Sequence, residues 1–438
     1  MSELAATPVL RPGIPGFVAA WPLSRFWLLS VDVYPALAAA ALPWSTTAVS
    51  VFTAVWLAIV LPTIHWPAFF ESLRAPARSV PLAFFALALL GVLWAGDTAA
   101  AKLLGLSPVV KLLAIPLVIY HYQRSERGHW VLIAFLASCV LLMGVSWATY
   151  FADWKPSPGG MAGVPVRNYI DQSHEFALCL FAVAPLLLSF AANGHRAWAI
   201  ALAAIMLGFY CDMRFVATSR TTLVCFPVLL VLFAFKYLNR RHAIYLLAFA
   251  AIVEGAVLFT SPYLRDRVER TVQDSQVTVD SNAATPAATS NGLRLAYWRA
   301  SVRSISESPI FGHGTGSTKQ LFEREAEGKS GEWGWSIRNP HNQTLYAAIQ
   351  WGVLGCLFLY AMWYFHLQLF RGSTLAAWIG MVVVVQNFVS SLFNSHLFDF
   401  HEGWIYVLGV GVVGGMVARA QSQFASGYGS EQAGMSRS

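Results

Sequence analysis

Long apolar runs alternate with short polar connections along most of this chain. Each run holds about 17–24 mostly apolar residues, which is long enough to cross a bilayer as a helix. The twelve runs are residues 24–42, 44–63, 79–96, 103–121, 130–151, 173–192, 197–213, 219–236, 243–260, 342–366, 373–393 and 403–420. The pattern predicts an all-α polytopic integral membrane protein with about twelve transmembrane helices.

One polar connection is much longer than the others. Residues 261–341 separate the ninth run from the tenth, and a connection of this length is typically functional or partly folded. Its segment from Gln273 to Asn291 is rich in Ser, Thr, Ala and Asn and is expected to be mobile. An amphipathic helix should follow, with Leu295, Trp298, Val302 and Ile305 on one face. The predicted regions are therefore helices 1–9 (1–260), a large helical loop (261–341), helices 10–12 (342–420) and a tail (421–438).

Composition agrees with a membrane protein. The chain is 57% hydrophobic and 12% charged, about half the charged fraction of a soluble domain. Its net charge of +7 comes largely from Lys and Arg in alternate connections, so it does not indicate nucleic-acid binding. These connections contain Arg74 and Arg78; Arg124 and Arg127; Arg196; Lys236, Arg240 and Arg241; and Arg371. The positive-inside rule then predicts that both termini are cytoplasmic and that the long loop is on the opposite side.

The N-terminal segment and the cysteines add little chemistry. The first 20 residues lack the pattern of a cleavable signal and are expected to remain as a cytoplasmic end. The five cysteines lie in apolar runs without metal-ligand spacing, so they are expected to be buried free thiols. His396 and His401 have carboxylates nearby but do not form a recognisable metal motif, and the sequence predicts neither a metal nor a cofactor.

The segment Arg338-Asn339-Pro340-His341-Asn342 contains the main catalytic candidate. Asn339 is suited to the N-cap and Pro340 to the first position of the next helix, which would place His341 in the first turn. There, at the membrane boundary, His341 could act as a general base or bind phosphate. Asn342 and Arg338 would support it. Capping or packing alone is the alternative interpretation.

Several arginines are expected on the same side of the membrane as His341. Arg220 and Arg294 are the strongest candidates, Arg265 follows, and Arg214 ranks lower. One guanidinium group can bind two phosphate oxygens at once and needs no metal, so these residues could hold a membrane-embedded diphosphate. The alternative is that each arginine extends towards lipid headgroups. Glu254, inside the ninth run, is interpreted mainly as the structural partner of an arginine.

Three further groups of residues have structural interpretations. Gly312-His313-Gly314-Thr315-Gly316 lacks the features of a phosphate loop and is expected to form a turn that reverses the chain after Pro309. Gly352 and Gly355 would allow close helix packing. Asp32, Lys111 and Glu175 lie towards the ends of their runs and are expected to be hydrated.

The chain resembles the O-antigen ligase family, within a superfamily that also contains O-antigen polymerases and protein O-oligosaccharyltransferases. The similarity rests on His341-Asn342-x9-Gly352-x-x-Gly355, on Ser219-Arg220-Thr221-Thr222-Leu223, and on residues 294–316 with Trp298 and Pro309. The twelve predicted spans and the single large loop before the tenth are also similar to that family.

This resemblance implies a GT-C-like, metal-independent glycosyltransferase of the bacterial inner membrane, with its active site facing the periplasm. The donor would be undecaprenyl-diphosphate-linked O-antigen, and the acceptor a sugar hydroxyl of lipid A–core. His341 would be the base or a diphosphate ligand. Arg220 and Arg294 would hold the diphosphate with help from Arg265. Val224 departs from the family pattern, which leaves Arg214 as an alternative to Arg220.

Two other functions are compatible with the sequence. A polymerase or a protein-directed transferase would use the same lipid-linked donor, although polymerases usually carry arginine motifs on two large periplasmic loops. A transporter of lipid-linked oligosaccharide belongs to a different class and would require charged groups near the membrane midplane. Glu254 is the main feature that fits it.

Overall fold

The computed structural model describes residues 24–156, 160–166, 168–261, 265, 269, 290–327 and 339–435. Within these ranges all regular structure is helical. The α-helices are α1 (Arg25–Ala41), α2 (Thr46–Val60), α3 (Trp66–Ser72), α4 (Pro76–Gly91), α5 (Ala99–Val110), α6 (Ala114–Tyr122), α7 (Gly128–Phe151), α8 (Tyr169–Ala192), α9 (Arg196–Phe215), α10 (Arg220–Tyr237), α11 (Arg240–Thr260), α12 (Ser290–Glu307), α13 (Thr318–Ala326), α14 (Gln343–Leu369), α15 (Leu375–Ser390) and α16 (Phe400–Met435).

Each of the twelve predicted runs coincides with helical structure, which confirms the all-helical membrane fold. Over the described ranges, nine helices are long and apolar enough to cross a membrane, or ten if the pair α3–α4, bent by 94°, is one span. A short 3-10 turn joins α5 to α6, and this pair counts as a single span. Helices α1, of 17 residues, and α15, of 16, are shorter than these spans. The number of twelve crossings therefore stays a prediction.

The centre of the bundle is closely packed. Helix α8 packs along α9, α4 along α14, and α16 along both α6 and α15. Three fully buried tryptophans satisfy their indole N–H groups across helices, because an unpaired donor in this interior would be costly. Trp351 donates to Thr315 Oγ1 (2.8 Å), Trp363 to Asn387 Oδ1 (3.1 Å) and Trp378 to the Phe181 carbonyl (2.7 Å).

The described part of the long connection packs on the end of α14. Tyr297 and Ala300 of α12, Leu321 and Phe322 of α13, and Ile349 of α14 form a small apolar cluster. The predicted helix is thus confirmed, but its buried face is only partly right. Ile305 packs on the cluster, whereas the Val302 side chain is 59% exposed. The Ser/Thr-rich segment predicted to be mobile lies almost entirely outside the described residues.

The glycine-rich segment after Pro309 is a turn that crosses a break in α14. Gly312, Gly314 and Gly316 all have positive φ, as a chain reversal requires, which confirms the predicted turn. At the break, Gly352 has φ +59°. The N–H of His313 donates to the Ile349 carbonyl (2.9 Å) and that of Val353 to the Pro309 carbonyl (2.8 Å).

Gly352 has a different role from the one predicted. A Cβ at this position would stand 2.3 Å from the Ile310 carbonyl oxygen, so the glycine lets the turn reach the broken helix backbone. The predicted smooth face for helix–helix packing is therefore replaced by close contact between a turn and a kink.

Candidate functional site

His341 lies outside the helix whose first turn it was expected to occupy. Helix α14 starts at Gln343, and its N-cap is Asn342, whose Oδ1 accepts from the Leu345 N–H (3.0 Å). The prediction of Asn339 as N-cap is wrong because Asn339 makes a different local bond, accepting from the His341 N–H (2.9 Å). His341 itself has φ +52°, a conformation that few residues other than glycine adopt.

The His341 ring is fixed by a loop that joins α15 to α16. Its Nδ1 is 2.9 Å from Asn394 Oδ1. With this oxygen as acceptor, Nδ1 carries the proton and Nε2 keeps its lone pair. Ser395 of the same loop donates to Asn339 Oδ1 (2.7 Å), so the loop holds both the backbone and the ring of this segment. Helix α12 contacts it from the other side, where Trp298 Nε1 donates to the Pro340 carbonyl (3.1 Å).

The surroundings of His341 favour a neutral ring. Burial lowers the pKa of His341 below the usual 6.5, and the positive charge of Arg294 lowers that pKa further. The hydrogen bond to Asn394 acts in the opposite direction but does not reverse the shift. A neutral imidazole with a free Nε2 lone pair is the state that a general base requires.

Arg294 and Arg220 lie close enough together to repel each other. Burial lowers the pKa of the Arg294 guanidinium, the charge of Arg220 lowers it further, and Tyr169 counteracts the shift. Among the described residues no acidic side chain forms a salt bridge with Arg294. Two neighbouring guanidinium groups at a bundle end form a site that an anion would stabilise.

Arg214 is engaged elsewhere. Its side chain is buried between the rings of Tyr210 and Phe226, and it forms a bidentate pair with Glu254 at 2.6–3.0 Å. This confirms the interpretation of Glu254 as the structural partner of an arginine. Because that pairing occupies Arg214, Arg220 and Arg294 stay the leading candidates for the predicted anion site.

The remaining candidates differ in position. Arg265 is exposed and donates from Nη2 to the Phe259 carbonyl (2.8 Å) at the end of α11. Asn342 caps α14 and also donates from Nδ2 to the Leu392 carbonyl (2.9 Å), so it supports the site by joining it to the α15–α16 loop. Arg338 lies outside the described residues.

The charged residues expected to be hydrated are instead buried. The Asp32 carboxylate accepts hydrogen bonds from Ser125 Oγ (2.6 Å) and Arg127 Nη1 (2.9 Å), and it also contacts His121. Lys111 donates to the Asp399 carbonyl, and Glu175 lies 2.6 Å from His401 Nε2. Hydropathy could not reveal these partners, because each is remote in sequence.

Beside the His341 loop lies a second cluster that sequence reasoning missed. His174, His396 and Glu402 come from α8, the α15–α16 loop and α16, and their potential ligand atoms all lie within 4.8 Å of one another. Burial, with the positive charge of Arg294, lowers the pKa of His396 to about 3, so its ring is neutral. The large separation of residue 174 from residues 396 and 402 left no spacing motif to find.

The geometry near His341 suits one type of chemistry. A neutral histidine can accept a proton from a hydroxyl group, while two adjacent guanidinium groups can bind the phosphate oxygens of a leaving group. The described residues thus bring together two of the predicted arginines and the predicted base. They leave Arg214 in a structural pair and Arg265 on the surface.

One comparison with known proteins found a match. Residues 201–360 match the family model described as O-antigen ligase, which supports the resemblance seen in the sequence. No curated protein matches the chain. All seven site residues inferred from the sequence, from Arg214 to Asn342, fall within the matched range.

Proposed function

We propose that this chain, whose residues 201–360 match the O-antigen ligase family, ligates O-antigen polysaccharide onto lipid A–core. The donor would be undecaprenyl-diphosphate-linked glycan, and the reaction would take place at the periplasmic face of the bacterial inner membrane. The observation that carries the proposal is the neutral His341 ring beside Arg294 and Arg220, inside the family domain.

The proposed reaction needs a base and charge neutralisation. His341 Nε2 takes the proton from an acceptor sugar hydroxyl as that oxygen bonds to the anomeric carbon of the donor. The bond between that carbon and the diphosphate oxygen breaks, and its electron pair leaves with the undecaprenyl diphosphate. Arg294 and Arg220 stabilise this departing charge. A direct attack of this kind inverts the anomeric configuration.

The lowered pKa of His341 favours the role of base over that of phosphate ligand. A phosphate ligand works best as a charged imidazolium, whereas burial and Arg294 both disfavour protonation of this ring. Because two guanidinium groups supply positive charge at the leaving group, the transfer step is proposed to proceed without a metal.

The first test uses purified wild type and a His341→Ala variant. Each is incubated with undecaprenyl-diphosphate-linked glycan and rough lipopolysaccharide without added metal, and products are separated as a ladder on a gel. A matched control is His242→Ala, which alters an exposed histidine at the start of α11. Wild type and the control should form glycan-bearing lipopolysaccharide, and His341→Ala should not.

The other outcomes identify the competing functions. Extension of the lipid-linked donor alone would indicate a polymerase, and glycan transfer to an added protein acceptor would indicate a protein O-oligosaccharyltransferase. Movement of the lipid-linked donor across vesicle membranes without bond formation would indicate a transporter. Equal activity of His341→Ala and wild type would refute the role given to His341.

A further inference from the structure

Three potential metal ligands converge at the junction of α8, the α15–α16 loop and α16. Glu402 Oε1 lies 3.7 Å from His174 Nδ1 and 3.8 Å from His396 Nε2. The two imidazole rings stand edge to face, with centroids 4.8 Å apart. These N–O distances are too long for hydrogen bonds. They are close to the separation of about 3.4 Å between two ligand atoms bound to one tetrahedral zinc ion.

The two histidine rings have polar atoms that nothing in the described residues satisfies. Both nitrogens of His174 and both nitrogens of His396 lack a hydrogen-bond partner there, and the two residues are only 1% and 0% exposed. A neutral imidazole contains one N–H donor and one lone pair, so two donors and two acceptors are buried together. Such groups normally bind a protein atom, a water molecule or an ion.

Two further carboxylates lie near Glu402. Asp171 lies within hydrogen-bonding reach of Glu402, and Asp399 adds a third carboxylate nearby. Two carboxylates in contact require either a shared proton or a positive ion between or beside them. Two cations lie near the cluster, because Lys111 acts on Glu402 and Arg294 acts on His396, yet neither donates a hydrogen bond to the nitrogens of the two histidine rings.

From this geometry we propose that His174, His396 and Glu402 bind a divalent transition-metal ion of the zinc class. Two imidazole nitrogens and one carboxylate oxygen are a donor set that zinc binds well, and the three protein ligands leave a fourth position for water or Asp171. The ion ties the start of α8 to the start of α16. It also fixes the loop that carries Asn394, the hydrogen-bond partner of His341.

This site is separate from the proposed glycosyl transfer. Its ion is structural and does not contact the diphosphate, so the transfer step keeps its two guanidinium groups as the source of positive charge. Metal content can be measured on protein that has never met a substrate. Failure of the metal proposal and failure of the ligase proposal are therefore distinguishable.

The test measures zinc in the full-length purified protein. The protein carries an affinity tag without histidines, is exposed to Zn²⁺ and is then passed through a desalting column before elemental analysis. Wild type should retain about one zinc ion per chain, and His396→Gln and Glu402→Gln should fall to background. The matched controls are Glu175→Gln and His401→Gln, which alter an equally buried pair on the same two helices. Both should retain zinc.

Cobalt provides a second measurement that does not depend on a variant folding. Wild type loaded with Co²⁺ should show the intense visible absorption of a four-coordinate site, and added Zn²⁺ should abolish it. A spectrum identical to aqueous Co²⁺, or no retained zinc in wild type, would overturn the proposal. Equal zinc in wild type, His396→Gln and Glu402→Gln would also overturn it, since this result means an adventitious ion only.

Discussion

His341 combines an unfavourable backbone conformation with a side-chain ring whose orientation is fixed by a hydrogen bond. Non-glycine residues with positive φ cost free energy and are concentrated at functional sites, and His341 is one of two such residues in the described ranges. The His341 N–H donates to Asn339 Oδ1, which stabilises this conformation, and the hydrogen bond between Nδ1 and Asn394 Oδ1 orients the ring. Contacts with these asparagines, and not the helix that follows, therefore determine the conformation of His341.

The charge of Arg294 should be visible in the pH dependence of ligation. A base is active when deprotonated, so activity should rise with pH through the pKa of His341, and this acidic limb should lie below pH 6.5 in wild type. Arg294→Gln removes a charge that lowers this pKa, so the limb should move to higher pH. The measurement is kcat/KM for ligation as a function of pH.

The donor KM should change in the same variant, because Arg294 is also proposed to bind the diphosphate. Arg303→Gln is the matched control, since Arg303 is on the same helix but is exposed and pairs with Glu325. Its profile should follow wild type. An acidic limb that stays in place or moves to lower pH in Arg294→Gln would contradict the proposed electrostatic contact.

At the scale of helices, the Arg214–Glu254 pair joins α9 to α11. Glu254→Gln leaves the buried guanidinium without its counter-charge, and breaking a buried pair costs about 3–5 kcal/mol. Because the Glu254 side chain is 34% exposed, the lower end of this range is expected. Thermal unfolding of the detergent-solubilised protein should therefore show a clear drop in Tm.

The pair between Arg303 and Glu325 gives a matched comparison. It has a similar 2.6 Å contact, but Arg303 is 54% exposed, and surface pairs contribute only about 0–1 kcal/mol. Glu325→Gln should change Tm little. Equal losses in the two variants would mean that burial does not determine the contribution of the Arg214 pair.

The break in α14 should be intolerant of even a small side chain. In Gly352→Ala, the new Cβ would meet backbone oxygens of the turn after Pro309, and the positive φ would add strain. Gly144→Ala is the control, because Gly144 lies within α7 and its Cβ would meet no atom within 4 Å apart from its chain neighbours and the surrounding helix backbone. We expect Tm to fall in the first variant and to stay level or rise slightly in the second.

At the scale of the whole molecule, the sequence predicts helices well and long-range polar contacts poorly. Apolar run length locates every described span because lipid requires each backbone group to bond within its own helix. It cannot tell which of two asparagines caps α14, since Asn339 and Asn342 have equal propensity and tertiary contacts decide. Nor can it bring His174 next to His396, because that contact depends on how α8 packs beside α16.

The orientation of the bundle is the remaining whole-molecule prediction, since the distribution of Lys and Arg is its main support. Three single cysteines can test it in a background without the five native cysteines. The positions are Ala75 between α3 and α4, Ser306 on α12 and Ser373 between α14 and α15, and all three are exposed. If His341 faces the periplasm, Ser306→Cys on α12 must be on that side too, because α12 packs on the His341 segment.

A membrane-impermeant maleimide applied to intact spheroplasts should therefore label Ser306→Cys alone. Ala75→Cys and Ser373→Cys should react only after permeabilisation, because both lie in connections predicted to be cytoplasmic. If both positions are on the same side, an even number of crossings must separate them. The predicted spans from the third to the tenth meet this condition. Labelling of Ser373→Cys in intact spheroplasts would disprove that count, and protection of Ser306→Cys would place His341 on the wrong side for a periplasmic ligase.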